Sequence, residues 1–317
     1  MSNHRKPGVD PWLSTRFGKT RDGQPLSINR LAAPDTAPWI AWLYATSVEA
    51  PDDYQLDCRL LSDTAMIRIQ LEGEWTAQTR DGLKRYGPKA CYFGPQTRAM
   101  PVSVKGSFTS VGLALKPGAG FTVTGLPAAD FVDRVVELDS IGLPGQAAVE
   151  ALSQAASGEE MLQILEALVR VFLGGAKPAT PPALSASFEL QALADPNFSV
   201  AAFAEDHGIS LRQLERLCQR DFGLTPKQVL RRARALDLAS HLRGVADSAE
   251  EDAAILRYYD QSHMAREFTD LFGLSPRQFV ETPQPLMTLA LESRQARRLA
   301  MLDRLQPGDR RPWEGGK

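Results

Sequence analysis

Two short stretches of this 317-residue chain concentrate side chains with directional hydrogen-bonding chemistry: Arg212-Gln213-Leu214-Glu215-Arg216 and Gln261-Ser262-His263-Met264-Ala265-Arg266. An arginine fork matches a carboxylate, a phosphate or the O6/N7 edge of guanine. Glutamine matches the edge of adenine, and glutamate can accept from cytosine N4. The same arginines could also serve as helix–helix salt bridges. Leu214, Leu217 and Cys218 recur at helical spacing on the face opposite Arg212 and Arg216, so the first stretch reads as an amphipathic helix.

The elements around these stretches repeat at an offset of 50 residues: Arg216, Phe222, Gly223, Leu224, Pro226 and Gln228 recur as Arg266, Phe272, Gly273, Leu274, Pro276 and Gln278. Helix starts carry one recurring signal. Ser210 with Gln213, Thr225 with Gln228, Ser248 with Glu251 and Ser275 with Gln278 have capping-box spacing. Pro226 and Pro276 fall at the first helical position, where a missing N–H costs nothing. Ser199 can cap a helix through about His207, and Gly208 supplies a tight turn before Ser210. Helix, short turn, helix is the unit that places its second helix in the DNA major groove.

The segments LERLCQRDFGLTPKQVLRRARALDLA and YYDQSHMAREFTDLFGLSPRQF resemble the AraC-type DNA-binding domain, in which a long helix joins two helix-turn-helix units. The resemblance covers about 184–282. It implies DNA-facing side chains at Arg212, Gln213, Glu215 and Arg216 in the first reader and at Gln261, Ser262, His263 and Arg266 in the second. Arg231 and Arg232, on the linking helix from Pro226 to about Arg243, are expected to contact DNA as well. One departure is Arg257, where the family usually has a turn glycine; positive φ there would strain an arginine by about 1 kcal/mol.

The N-terminal half has a different period. Ile67, Ile69 and Leu71 alternate with Arg68 and Gln70, and Val102 and Val104 alternate similarly, which predicts short antiparallel strands. Gly94-Pro95-Gln96-Thr97-Arg98, Val111-Gly112 and Lys116-Pro117-Gly118 resemble a cupin-like sensor domain. The expected fold class is therefore α+β: a cupin-like antiparallel β-barrel with helices, then an all-α tandem helix-turn-helix domain. The expected divisions are an arm at 1–24, the sensor at 25–140, a helical dimerisation or cover segment at 145–175, a Pro-rich linker at 176–183, the DNA-binding domain at 184–282 and a helical tail at 283–317. The tail arginines Arg294, Arg297, Arg298 and Arg304 read as a solvated helix end, and Trp39, Trp42, Trp75, Tyr92 and Phe93 read as core before ligand pocket.

Composition narrows the alternatives. At 43% hydrophobic and 23% charged the chain is globular, and its net charge of −2 excludes a uniformly basic nucleic-acid coat. Cys58, Cys91 and Cys218 form no disulfide or C-x-x-C pattern. No signal peptide or membrane span is expected, so the cytoplasm is the default address and no membrane is a partner. The rival reading is a cupin-type enzyme or a ligand-binding protein whose DNA face is non-functional. A metal cupin needs two or three inward histidines, yet His4, His207, His241 and His263 all lie outside the strand region. No phosphate loop, nucleophile elbow or H-E-x-x-H helix occurs. The expectation is thus no enzyme, no metal and no cofactor. The expected partners are double-stranded DNA, a small-molecule effector, RNA polymerase and a second copy of the chain.

Charge is unevenly placed: +5 over 208–243 and −5 over 246–282. Phosphate attraction is accordingly expected from the first unit and linking helix, with Arg231, Arg232 and Arg234 dominating the salt dependence. If Arg216 reaches a base edge, Arg216→Ala weakens specific binding by about 1–3 kcal/mol in an anisotropy titration. An unchanged affinity and footprint would assign it a structural role.

Overall fold

The structure is a computed structural model that describes residues 6–247, 261–306 and 309–315. His4, the Ser248/Glu251 cap, Arg257 and Asp260 lie outside the described residues. The architecture is α+β, with an antiparallel sheet in the N-terminal half and helices in the C-terminal half.

Nine strands form one sheet among the described residues. They are β1 (Ser14–Thr15), β2 (Ile28–Arg30), β3 (Ile40–Glu49), β4 (Gln55–Leu60), β5 (Met66–Thr79), β6 (Gly82–Tyr86), β7 (Lys89–Phe93), β8 (Met100–Leu115) and β9 (Val135–Glu137). The path runs β1-β3-β8-β5-β7-β9, with β2 on β3, β4 on β8 and β6 on β5. Long strands β5 and β8 are its spine. The first half of β8 pairs with β4, its second half with β3, and its other edge with β5.

Alternation gives this sheet two buried faces. Ile40, Leu43, Ala45, Ile69, Val111 and Leu113 pack outward against two helices, α2 (Gly145–Leu152) and α3 (Gly158–Ala176), which follow the short α1 (Ala119–Thr124). Ser157 caps α3 by accepting from Glu160 N–H. Buried Glu166 on α3 accepts from Ala33 N at 2.6 Å and from Arg30 at 3.0 Å, fastening the helix to the sheet. Trp42, Trp75, Phe93 and Phe108 occupy the inner face. Arg68 and Gln70, opposite Ile67 and Ile69 as the alternation predicts, also line an interior space there. Gly112 is required at this point: a Cβ would lie 2.3 Å from Ile67 O and 2.7 Å from the Tyr44 hydroxyl.

The C-terminal helices are α4 (Ala183–Ala194), α5 (Val200–Asp206), α6 (Leu211–Phe222), α7 (Pro226–Leu242), α8 (Gln261–Phe272), α9 (Pro276–Glu281) and α10 (Pro285–Met301). The last overturns the solvated-tail reading. Thirteen of the 17 residues of α10 are buried, because the helix lies between the inner sheet face and α7. Its arginines are each matched. Arg294 binds Asp63 at 2.9 Å and Asp237 at 2.7 Å; Arg297 binds Glu189 at 2.6 Å and Asp63 at 3.1 Å; Arg298 donates to Leu193 O at 2.6 Å. Arg304 pairs with Asp247. Beyond α10, Trp313 is fully buried and donates to Glu292, while Glu314 bridges to Thr20. The helix was expected, but its Arg-rich composition concealed its burial, because its cations are met by carboxylates and a carbonyl distant in sequence.

Burial alone would raise the Asp63 carboxyl, but facing Arg297, Arg294 and Arg232 outweigh it and hold it below the ordinary range. A depressed carboxylate contributes stability above its unfolded pKa of about 4 and loses it as pH falls. Asp63→Asn is therefore expected to flatten the acid side of the stability profile measured by urea unfolding. Arg297→Met strands buried Glu189 and removes one of the two guanidinium partners of Asp63, and should cost about 3–5 kcal/mol at neutral pH in the same assay.

Candidate nucleic-acid interface

The two units are built by local chemistry that the caps enforce. Ser199 accepts from Ala202 N to start α5, and Gly208 at φ +64° turns the chain before α6. Full capping boxes begin α6 at Ser210/Gln213, α7 at Thr225/Gln228 and α9 at Ser275/Gln278. Leu214, Cys218 and Phe222 of α6 are buried with Phe188, Phe203 and Leu230, which sets the outward face. In the second unit Phe268 stacks on Phe272, and Phe279 meets Phe268 edge-on and Phe272 at a tilt, forming an aromatic core.

That packing leaves the expected reader residues on the surface. Arg212, Gln213, Glu215 and Arg216 on α6 are exposed, as are Gln261, Ser262, His263 and Arg266 on α8. Neither Arg216 nor Arg266 has a carboxylate within 4 Å among the described residues, so the salt-bridge alternative for the pair has no support here. Gln213 is partly committed: its Oε1 accepts from Ser210 N at 2.8 Å to complete the cap. Two-point recognition of adenine by Gln213 would have to break that box.

Arg231 and Arg232 stand differently from the expectation. Arg232 is 2% exposed and donates to Gln96 O at 3.0 Å and to Asp63 O at 2.6 Å. Burial pushes its pKa down to about 10. Arg231 binds Asp270 at 2.9 Å and Glu267 at 3.3 Å, and Arg234 binds Glu267 at 3.1 Å. In this arrangement Arg232 faces the sheet domain, and the other two tie α7 to α8. The net charges assigned by sequence therefore cancel in part across the two units. Arg243 is buried as well, donating to Thr288 and to the carbonyls of Gly8 and Phe279. Arg220 pairs with Asp221. The cations of the +5 segment left exposed are Arg212, Arg216 and Lys227. Periodicity carried no sign of this division, since it depends on which distant carboxylate or carbonyl each arginine meets.

Both units touch the sheet domain. Gly223, at φ +71°, ends α6 where a Cβ would meet Val132, Ala128 O and Pro95 at about 3.0 Å. Arg220 stacks over Phe121, Ala99 N donates to Leu271 O, and Arg59 lies against Gly273. Three buried cysteines are free thiols, and no group of three or more metal-ligating side chains occurs among the described residues. No helix among those residues is long and apolar enough to cross a membrane.

With this geometry in view, residues 203–282 match the family described as a helix-turn-helix domain. The C-terminal part of the chain thus carries an AraC-type helix-turn-helix domain. No curated protein sequence matches the chain. Among solved structures, an apo form of ToxT from Vibrio cholerae is similar at 12% identity and TM-score 0.43, covering 80% of this chain and 100% of that one. Unsaturated-fatty-acid-bound ToxT from the same organism is similar at 10% identity and TM-score 0.43, covering 75% and 93%. The AraC-like transcriptional activator CuxR is similar at 12% identity and TM-score 0.28, covering 61% and 76%.

Counterion release tracks phosphate neutralisation, so exposed cations should set the salt dependence. Replacing Arg212 and Lys227 with alanine is expected to lower the slope of log K against log salt by about 0.9 for each phosphate no longer neutralised. Arg232→Ala should leave that slope unchanged and lower the unfolding midpoint instead. Slopes from anisotropy titrations and melting curves of the same samples check both outcomes; a slope change at Arg232 would return it to the DNA face.

Proposed function

We propose that this chain is a one-component transcription regulator that reads two successive major grooves with α6 and α8. The observation that carries the reading is the exposure of all eight expected reader side chains on helices whose opposite sides are buried. The reader roles are Arg212, Arg216 and Arg266 for guanine edges or phosphate, Gln261 for adenine, Glu215 for cytosine N4, and Ser262 and His263 for supporting polar contacts. Between them α7 has 17 residues, a rise of about 25 Å, long enough to separate two readers on one face of the duplex.

The cupin-like sheet domain is the effector-binding half, and contacts from Arg232, Gly223 and Arg59 give it a physical route to the readers. Helices α2 and α3 cover the sheet, and Val171 on α3, 77% exposed, supports a homodimer contact along that helix. RNA polymerase, operator DNA and an effector complete the proposed partners, in the cytoplasm. No catalytic step is assigned.

Selection from random duplex DNA with the full chain tests this. Expected is a bipartite motif whose halves lie about 10 base pairs apart, with Arg216→Ala relaxing one half and Arg266→Ala the other. Binding without an enriched motif, or with one that neither substitution alters, overturns it.

A further inference from the structure

Between the inner sheet face and α10 lies a cavity of about 70 Å³ with walls that include Trp42, Trp75 and Phe108. Four buried polar atoms without a hydrogen-bond partner belong to side chains lining it: Trp42 Nε1, Arg68 Nε, Gln70 Oε1 and Arg294 Nη2. Buried polar groups are almost always paired, and three orphan donors around one space, two of them cationic, call for an acceptor.

Charge identifies the acceptor. The cavity's carboxylate, Asp63, is already held by Arg294 and Arg297, and those arginines also hold Asp237 and Glu189. Arg68 has no carboxylate partner among the described residues. It donates to the Tyr44 hydroxyl at 3.2 Å and lies over the Tyr44 and Phe93 rings at 5.6 and 5.3 Å from their centroids. Ring faces position a cation without neutralising it, so Arg68 alone among the charged side chains lining the space meets no opposite charge among the described residues.

We propose that this cavity binds a small organic monocarboxylate, its oxygens shared between Arg68 on β5 and the free Nη2 of Arg294 on α10, with the Trp42 indole N–H as a further donor. Size restricts the class. The volume is about half that of an engineered cavity that accepts benzene, so the apolar body holds only a few carbons against the aromatic wall. The assignment rests on reading the sheet domain as the effector-binding half, and it specifies how occupancy reaches the readers. The other two nitrogens of Arg294 hold Asp63 beside the sheet and Asp237 on the helix that joins both units.

The test is calorimetric titration of the full chain with acetate, propionate, butyrate and lactate, beside propionamide and butyramide, in chloride-matched buffer. At least one acid should bind about tenfold or more tighter than its amide, since the amide cannot form the charge-assisted bonds to the guanidinium groups. Arg68→Gln and Trp42→Phe should each weaken that acid by a similar factor, and thermal unfolding should show the matching loss of ligand-induced stabilisation. Equal binding of acid and amide, or binding of none, means that the orphan donors serve water alone and overturns the proposal. Should Arg68→Gln fail to fold, the acid–amide comparison and Trp42→Phe still decide. Operator binding is measured on the same samples. Its survival with no acid bound rejects only the ligand, whereas acid binding without operator recognition rejects only the regulator reading.

Discussion

A single half-buried carboxylate, Asp63, holds together parts of the chain that have no sequence proximity. Its side chain receives Arg294 and Arg297 from α10, and its backbone carbonyl receives Arg232 from α7. Through the same arginines the network extends to Asp237 on α7 and Glu189 on α4. Taking so many charges out of water is costly, and the attraction between them returns little more than that cost. What such a cluster supplies is direction: guanidinium forks accept only a narrow set of positions for their partners. The placement of α10 between sheet and helices follows from that requirement together with the apolar packing of Leu291, Ala296 and Leu299.

This arrangement divides the arginines of the C-terminal half into two populations. Arg232, Arg243, Arg294, Arg297 and Arg298 are internal and matched to carboxylates or carbonyls. Arg212, Arg216 and Arg266 stand at the surface on α6 and α8. The first group binds the domains into one body, and the second is available to a polyanion. Arg231 and Arg234 lie between, since they bridge α7 to α8 and so fix one unit relative to the other. Side chains thus already join the sheet to α7, and α7 to α8, without the linker at 176–183.

Much of the DNA-binding half is legible in the primary structure because its determinants are local. A capping box is closed within four residues, a proline at the first helical position acts on its own turn, and an apolar stripe declares its own buried side. Hence Ser210, Thr225 and Ser275 mark helix starts wherever the chain goes next, and the 50-residue repeat exposes the tandem unit. Strand alternation likewise separates Ile67 and Ile69 from Arg68 and Gln70. It is silent on whether the polar side meets water or an interior, and here it meets an interior.

The sequence by itself thus determined the helix starts, the outward faces of α6 and α8 and the α+β class, because each is settled by contacts between near neighbours. Only the tertiary structure decided the fate of the individual arginines. Arg232 and Arg297 are indistinguishable in type from Arg212 and Arg216, and nothing in their local pattern says which will be buried. That depends on Asp63, Gln96 and Glu189, which lie more than one hundred residues away from at least one of the cations they meet. The same holds for the cavity beside Arg68, whose second wall comes from a helix at the far end of the chain. A charge declares its need for a partner in the sequence, but folding selects the partner, because only folding brings the distant group within hydrogen-bonding reach.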